Sequence, residues 1–174
     1  TGTGGTPAWS NTLSTTFDGV DDYVSVANNS TILRSQNISY SIWVNLADGS
    51  ARQYITGNQK SSNLGTGLSI ETGGFLLFQL GDGTNDSYFN SRLTNFTTYA
   101  PNNTWNHIFA SFDGVNAKIY INGILRNNWS VTTPYTISGW NTFWIGRRAA
   151  SPTTFLTNGK LEEIAVWNSD QSAN

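Results

Sequence analysis

The chain has no cysteine, no methionine, one histidine and only 11% charged residues in 174. Without cysteine there are no disulfides, no thiolate nucleophiles and no sulfur-ligated metals. Eukaryotic secreted domains are commonly disulfide-stapled, so the composition points to a bacterial or viral exterior instead. The charge content is well below the roughly 25% usual for soluble domains. Asn, Ser, Thr and Gly must therefore supply the polar surface, giving the neutral, hydrogen-bonding exterior expected of an extracellular, cell-surface or virion protein. The net charge is −2 and the basic residues are scattered. That disfavours binding driven by counterion release, so no nucleic-acid partner is expected. No apolar run approaches the roughly 20 residues of a spanning helix, and no membrane insertion is expected. The opening residues Thr1–Pro7 lack the basic and apolar stretches of a signal peptide, and there is no initiator Met. The chain reads as a mature or excised piece of a longer protein.

What is present is aromatic. Trp, Tyr and Phe make up 13% of the residues and hydrophobic residues 37%, enough for one core. Residues 1–10 read as a flexible arm and 11–174 as a single domain. Short β segments alternate with turn signals at the spacing of a sandwich. The expected strands are Leu13–Phe17, Tyr23–Val26, Ile38–Asn45, Tyr54–Gly57, Leu68–Glu71, Phe75–Leu80, Ser87–Leu93, Asn106–Phe112, Lys118–Ile121, Ile124–Asn127, Thr142–Ile145 and Lys160–Trp167. Asn122-Gly123 is the best hairpin signal, because both residues tolerate the positive φ of a type I′ turn. One helical turn is expected around Ser30–Arg34, and no window carries sustained helical periodicity.

Strand alternation separates two faces. Ile38, Tyr40, Ile42 and Val44 oppose Ser39, Ser41, Trp43 and Asn45. Ile108, Ala110 and Phe112 oppose His107, Phe109 and Ser111. Ile119 and Ile121 oppose Lys118, Tyr120 and Asn122. Ile164 and Val166 oppose Glu163, Ala165 and Trp167. Each strand has a plain core face and a second face mixing aromatics with hydrogen-bonding groups. Stacking the apolar faces predicts an all-β, two-sheet antiparallel β-sandwich of the jelly-roll type, with about twelve strands.

Several segments resemble the LamG-like, concanavalin A-like domains. Phe17-Asp18-Gly19-Val20-Asp21-Asp22-Tyr23-Val24 is similar to their opening hairpin, and Ile38–Val44 to the next long strand. Trp105-Asn106-His107-Ile108 resembles their Trp-x-His-Val segment. Lys118–Leu125 resembles the Tyr-x-Asn-Gly hairpin, Phe143–Arg147 the Ile-Gly strand, and Gly159–Asn168 the closing strand. The resemblance spans residues 13–168. It implies a fold that carries lectins, adhesion modules, polysaccharide hydrolases and lyases, so function must come from the site. The tail Trp167–Asn174 is similar to the ends of such domains in phage and marine microbial surface proteins.

Hydrolases of this fold place two or three carboxylates at alternate positions of one strand, facing a cleft together. Glu162 and Glu163 are adjacent, so regular alternation points them to opposite faces, and no third acid follows. His107, the lone histidine, reads as a scaffold residue. The resemblance implies a structural Ca²⁺ near the first hairpin. Asp18, Asp21 and Asp22 crowd one turn with the oxygen ligands this ion prefers, and a returning last strand is expected to bring Glu162 beside them. Sugar faces stack on aromatic rings while amides and guanidinium groups bond hydroxyls. Trp43, Tyr120, Asn122, Trp144, Arg147 and Trp167 are the expected ligand residues, with Arg148, Trp129 and Trp140 as alternatives. The sequence thus predicts a non-catalytic recognition or adhesion module for carbohydrate. The alternatives are a capsid-decoration or tail-fibre module contacting other subunits, and a polysaccharide-degrading enzyme.

Overall fold

A computed structural model describes residues 8–9, 14–27, 37–59, 64–82, 92–131, 142–148 and 153–172. The strands are β1 (Ala8–Trp9), β2 (Thr15–Asp18), β3 (Val24–Val26), β4 (Ile38–Leu46), β5 (Gln53–Gly57), β6 (Leu64–Glu71), β7 (Phe75–Asp82), β8 (Arg92–Leu93), β9 (Asn106–Phe112), β10 (Asn116–Ile121), β11 (Ile124–Ser130), β12 (Phe143–Ile145) and β13 (Asn158–Trp167). They form a seven-stranded sheet in the order β1-β2-β13-β4-β9-β10-β11 and a six-stranded sheet in the order β3-β12-β5-β6-β7-β8. Every pairing is antiparallel. This is the expected β-sandwich.

The core lies where alternation puts it. Ile38, Tyr40, Ile42, Val44, Ile108, Ala110, Phe112, Ile119 and Ile121 from one sheet meet Ile55, Leu68, Ile70, Leu76, Phe78 and Leu80 from the other. Each such large side chain contributes roughly 1.5–3 kcal/mol of burial. Tyr40 ties the layers together. Its ring meets Phe78 edge-on at 5.9 Å and stacks on Phe143 at 6.3 Å, and its hydroxyl donates to Thr66 Oγ1 at 3.4 Å.

Three local features depart from the sequence reading. Ala8–Trp9, inside the expected arm, pairs with β2. One helical turn, α1 (Phe96–Tyr99), follows Asn95 at φ 57° and seats the buried Phe96; four residues are too few to show a period. Of the strand expected over Ser87–Leu93, Arg92–Leu93 is observed, and the rest lies outside the described residues, as does the turn at Ser30–Arg34. The Asn122-Gly123 hairpin is as predicted, with φ of 52° and 77°.

Candidate ligand-binding faces

The two sheets turn their second faces outward, and the predicted ligand residues divide between them. Trp43, Tyr120 and Trp167 lie on the outer face of the seven-stranded sheet. Trp43 pairs with His107 and Glu162, and Tyr120 pairs with Phe109. Trp167, opposite Ser39, lies further along the same face. Trp144 and Arg147 belong to the other sheet, where Trp144 pairs with Ser25 and Gly57. One site cannot use all of them. Trp140 lies outside the described residues, and Trp129 is exposed on the edge strand β11.

On the seven-stranded sheet the Trp43 and His107 rings lie 5.2 Å apart, and the Phe109 and Tyr120 rings meet edge-on at 5.6 Å. Ser41 Oγ and His107 Nε2 share a hydrogen bond of 2.7 Å. Burial holds the imidazole below its usual pKa, partly opposed by the charge of Glu163. Asn122 is more tied down than expected. Its Oδ1 accepts the His107 backbone N–H at 2.9 Å and its Nδ2 donates to Asn106 Oδ1 at 3.1 Å. The segment after β13 folds back over this face. Ser39 Oγ donates to the Ser169 carbonyl at 2.8 Å and accepts from Gln171 N at 3.0 Å, and Lys118 Nζ donates to Ser172 Oγ at 2.9 Å. Together they border a cavity of about 280 Å³ lined by His107, Phe109, Tyr120, Gly123, Gln171 and Ser172. Ser41, Phe109, Gln171 and Ser172 were not singled out as ligand residues. Alternation had placed the first two on this mixed face, but the tail's return left no local signal.

The expected opposition of Glu162 and Glu163 does not hold. A β-bulge interrupts β13: Glu162 pairs with Trp43 and Ala165 with Ser41, so three steps oppose two. Glu163 absorbs the extra residue at φ 49°. Its charge acts on His107, and with Glu162 it also lines a second cavity of about 260 Å³ beside Phe17, Ile145, Leu161 and Ile164. The bulge, which regular alternation ignores, breaks the opposition of the two acids and brings the charge of Glu163 within range of His107.

The Asp turn forms as expected, but without Glu162. Carboxylate oxygens of Asp18, Asp21 and Asp22 lie within 4.8 Å of one another. β13 does return beside β2, yet the residue opposite Asp18 is Asn158. Glu162 lies four residues further on, about 13 Å away along the strand. Asp18 Oδ1 accepts from Val20 N at 2.8 Å and Asp21 N at 3.4 Å, and Asp22 Oδ2 accepts from Asp18 N at 3.2 Å. Burial raises the pKa of Asp22, with the charges of Asp18 and Asp21 adding to it against the backbone hydrogen bond.

On the six-stranded sheet the Arg147 guanidinium carbon lies 4.1 Å from the Trp144 ring centre and 4.3 Å from that of Tyr23. Arg148 is held elsewhere, donating to the Tyr54 hydroxyl at 3.0 Å. Arg52 donates to the same oxygen at 3.0 Å and pairs with Glu71 at 2.8 Å.

A two-sheet sandwich with aromatic and amide groups on its outer faces has the architecture of lectin-like domains. The family model described as the concanavalin A-like lectin/glucanases superfamily matches residues 18–174, and the chain belongs to that family. No curated protein matches it in sequence. Among solved structures it is similar to domain 4 of the extracellular GH43 arabinanase AbnA of Geobacillus stearothermophilus, in complex with arabinotriose. The identity is 17% and the TM-score 0.67, over 90% of this chain and 71% of that one. It is similar to the binding domain of botulinum neurotoxin serotype D, at 18% identity and TM-score 0.68, over 93% of this chain and 41% of that one. It is also similar to the NanB sialidase of Streptococcus pneumoniae, at 15% identity and TM-score 0.65, over 89% of this chain and 26% of that one. The chain thus spans less than half of the toxin domain and about a quarter of the sialidase.

Proposed function

We propose that this chain is a non-catalytic carbohydrate-recognition module of a larger extracellular or virion protein. The cavity on the outer face of the seven-stranded sheet carries the proposal. Its 280 Å³ sits near the lower end of small-molecule sites, roughly 300–1,000 Å³, and suits a group of monosaccharide size. Phe109 and Tyr120 offer apolar surface to a sugar's C–H face. Gln171, Ser172 and His107 offer hydrogen bonds to its hydroxyls, and Trp43 extends the aromatic surface beyond His107. The sugar complex of the arabinanase domain that shares this fold supports the reading at the level of class.

The Ser41–His107 pair, with Glu163 near it, invites a hydrolytic reading. That chemistry needs donors aimed at a developing oxyanion. Ser41 lies within β4, paired on one side with Ala165 and on the other with Phe109, so the neighbouring amides belong to the sheet ladders. Glu163 is exposed on its bulge, and the cavity it lines with Glu162 does not include Ser41 or His107.

The Asp turn suits a structural Ca²⁺. Ligands about 2.4 Å from one ion lie at most about 4.8 Å apart, and the three carboxylates meet that limit. Asp18, Asp21 and Asp22 would supply oxygen ligands, and water or backbone the rest.

A glycan array probed in calcium tests the main reading. A binder is expected, with Trp43→Ala and Tyr120→Ala each weakening it by about tenfold, the loss of one stacked ring worth about 1.4 kcal/mol. No glycan above background sinks the proposal, and release of reducing or unsaturated ends from any polysaccharide overturns its non-catalytic part. A second reading, contact with other protein subunits, is favoured by the edge strand β11, which exposes Ile124, Leu125 and Trp129 by 54%, 46% and 41%. Self-association lost in an Ile124→Lys variant would support it.

A further inference from the structure

Arg147 differs from the other described arginines. Arg52 is paired with Glu71, Arg148 is bonded to Tyr54, and Arg92, over the Phe75 ring at 4.2 Å, has a partner of its own. Arg126 lies over Tyr99 but is exposed to water. Arg147 is half-buried in the wedge between Tyr23 and Trp144, whose rings lie 5.6 Å apart and tilted by 59°. Among the described residues no carboxylate pairs with it. No acceptor among the described residues meets its buried Nε or the buried indole Nε1 of Trp144. Arginine and indole nitrogens only donate, and buried donors are normally satisfied. The guanidinium carbon is 4.1 Å from the centre of the indole that carries Nε1, so both unsatisfied donors belong to one wedge. The rings hold the planar guanidinium fork in place before any ligand arrives, and such a fork matches a planar carboxylate bidentately.

We propose that Arg147 and Trp144, wedged against Tyr23 on the outer face of the six-stranded sheet, bind the carboxylate of an acidic sugar. This site is on the sheet opposite the cavity described above, so the domain holds two glycan contacts on opposite faces. That the acid is borne by a sugar rests on the carbohydrate-recognition reading; the donor pair itself does not. Asp21 and Asp22 directly precede Tyr23, so a cation on their turn could itself hold a carboxylate. The test therefore excludes divalent ions.

The experiment titrates the folded chain in EDTA with D-glucuronate, D-glucose and acetate, following the indole N–H resonances by NMR. Trp144→Phe, which keeps an aromatic ring, identifies the Trp144 peak. Glucuronate is expected to move that peak and glucose is not. Arg147→Gln is expected to abolish the response, and Arg147→Lys, which keeps the charge but not the fork, to weaken binding by about tenfold. An unmoved Trp144 peak at saturating glucuronate overturns the site, as does unchanged affinity in Arg147→Gln. Equal affinity for acetate and glucuronate overturns the sugar assignment while leaving a carboxylate site. Trp43→Ala, on the opposite face, leaves the Trp144 response intact, which separates failure here from failure of the main reading.

Discussion

Asn122 occupies the first central position of the β10–β11 turn at φ 52° and continues the sheet ladder with its side chain. Its backbone N–H donates to the His107 carbonyl at 2.9 Å, and its side-chain Oδ1 accepts the His107 N–H at 2.9 Å. Its Nδ2 bonds Asn106 as well. Two substitutions separate backbone from side chain. Asn122→Gly keeps the turn and removes two side-chain hydrogen bonds, at about 0.5–1.5 kcal/mol each and about 2 kcal/mol together. Asn122→Ala removes the same bonds and adds about 1–2 kcal/mol for a Cβ in left-handed backbone. For a chain of this size 1 kcal/mol moves Tm by roughly 2–4 °C. Asn122→Gly is then expected to lower Tm by about 4–8 °C, and Asn122→Ala by a further roughly 2–8 °C. Thermal unfolding followed by circular dichroism measures both. Equal Tm for the two variants would falsify the backbone part, and a wild-type Tm in Asn122→Gly would refute the side-chain ladder.

Four further predictions rest on the sites and on the packing beside them. Because burial holds folded His107 below its unfolded pKa of about 6.5, its contribution is complete above that pH and is lost as pH falls through the folded value. Between pH 7.5 and 5, Tm should fall more in wild type than in His107→Gln; parallel curves refute this. At 10 mM Ca²⁺ and a Kd of about 1 mM, the Asp turn gains roughly 1.4 kcal/mol, or about 3–6 °C in Tm. Asp22→Asn should abolish that gain, and an unchanged Tm on chelation removes the ion from the account. In EDTA the same variant should raise Tm at neutral pH. The raised folded pKa means that ionised Asp22 is destabilising above it, and the penalty fades as pH falls through it. Gly146 sits at φ 86°, and a Cβ there would lie 2.6 Å from two ring carbons of Phe17. Strained backbone and overpacking together make Gly146→Ala cost about 2–5 kcal/mol, measurable by urea denaturation. A cost below about 1 kcal/mol, the lower bound for left-handed backbone alone, contradicts the geometry.

Local pattern revealed the layers and concealed the meetings between distant segments. The alternating apolar residues of β4, β9 and β10 named the core, and Asn122-Gly123 named its turn, because period and turn chemistry are local properties. The Asp turn was legible for the same reason. Which residue of β13 would stand beside it was not, since register depends on the whole sheet, and Asn158 took the place expected of Glu162. The bulge did leave a trace. Leu161 is buried and Val166 packs against the core, five positions apart, whereas alternation requires an even spacing on one face. That parity break foretells an extra residue between them, the one that lets the charge of Glu163 act on His107. The division of the aromatics between two sheets had no such trace, because strand order is set by packing that no single segment records.

The place of β13 bears on how the molecule comes to exist. β13, the last described strand, lies between β2 and β4, inside the seven-stranded sheet. Without it, both neighbours present open edges, the kind that recruit strands from other molecules. Closure joins Thr16 to Lys160 and Tyr40 to Val166, contacts so distant in sequence that folding belongs to the slow, millisecond-to-second regime of all-β topologies. Gln171 and Ser172, which complete the wall of the cavity, follow β13 in sequence and are held over the sheet by Ser39 and Lys118. A chain cut before Asn158 therefore exposes two open edges and lacks part of the cavity wall.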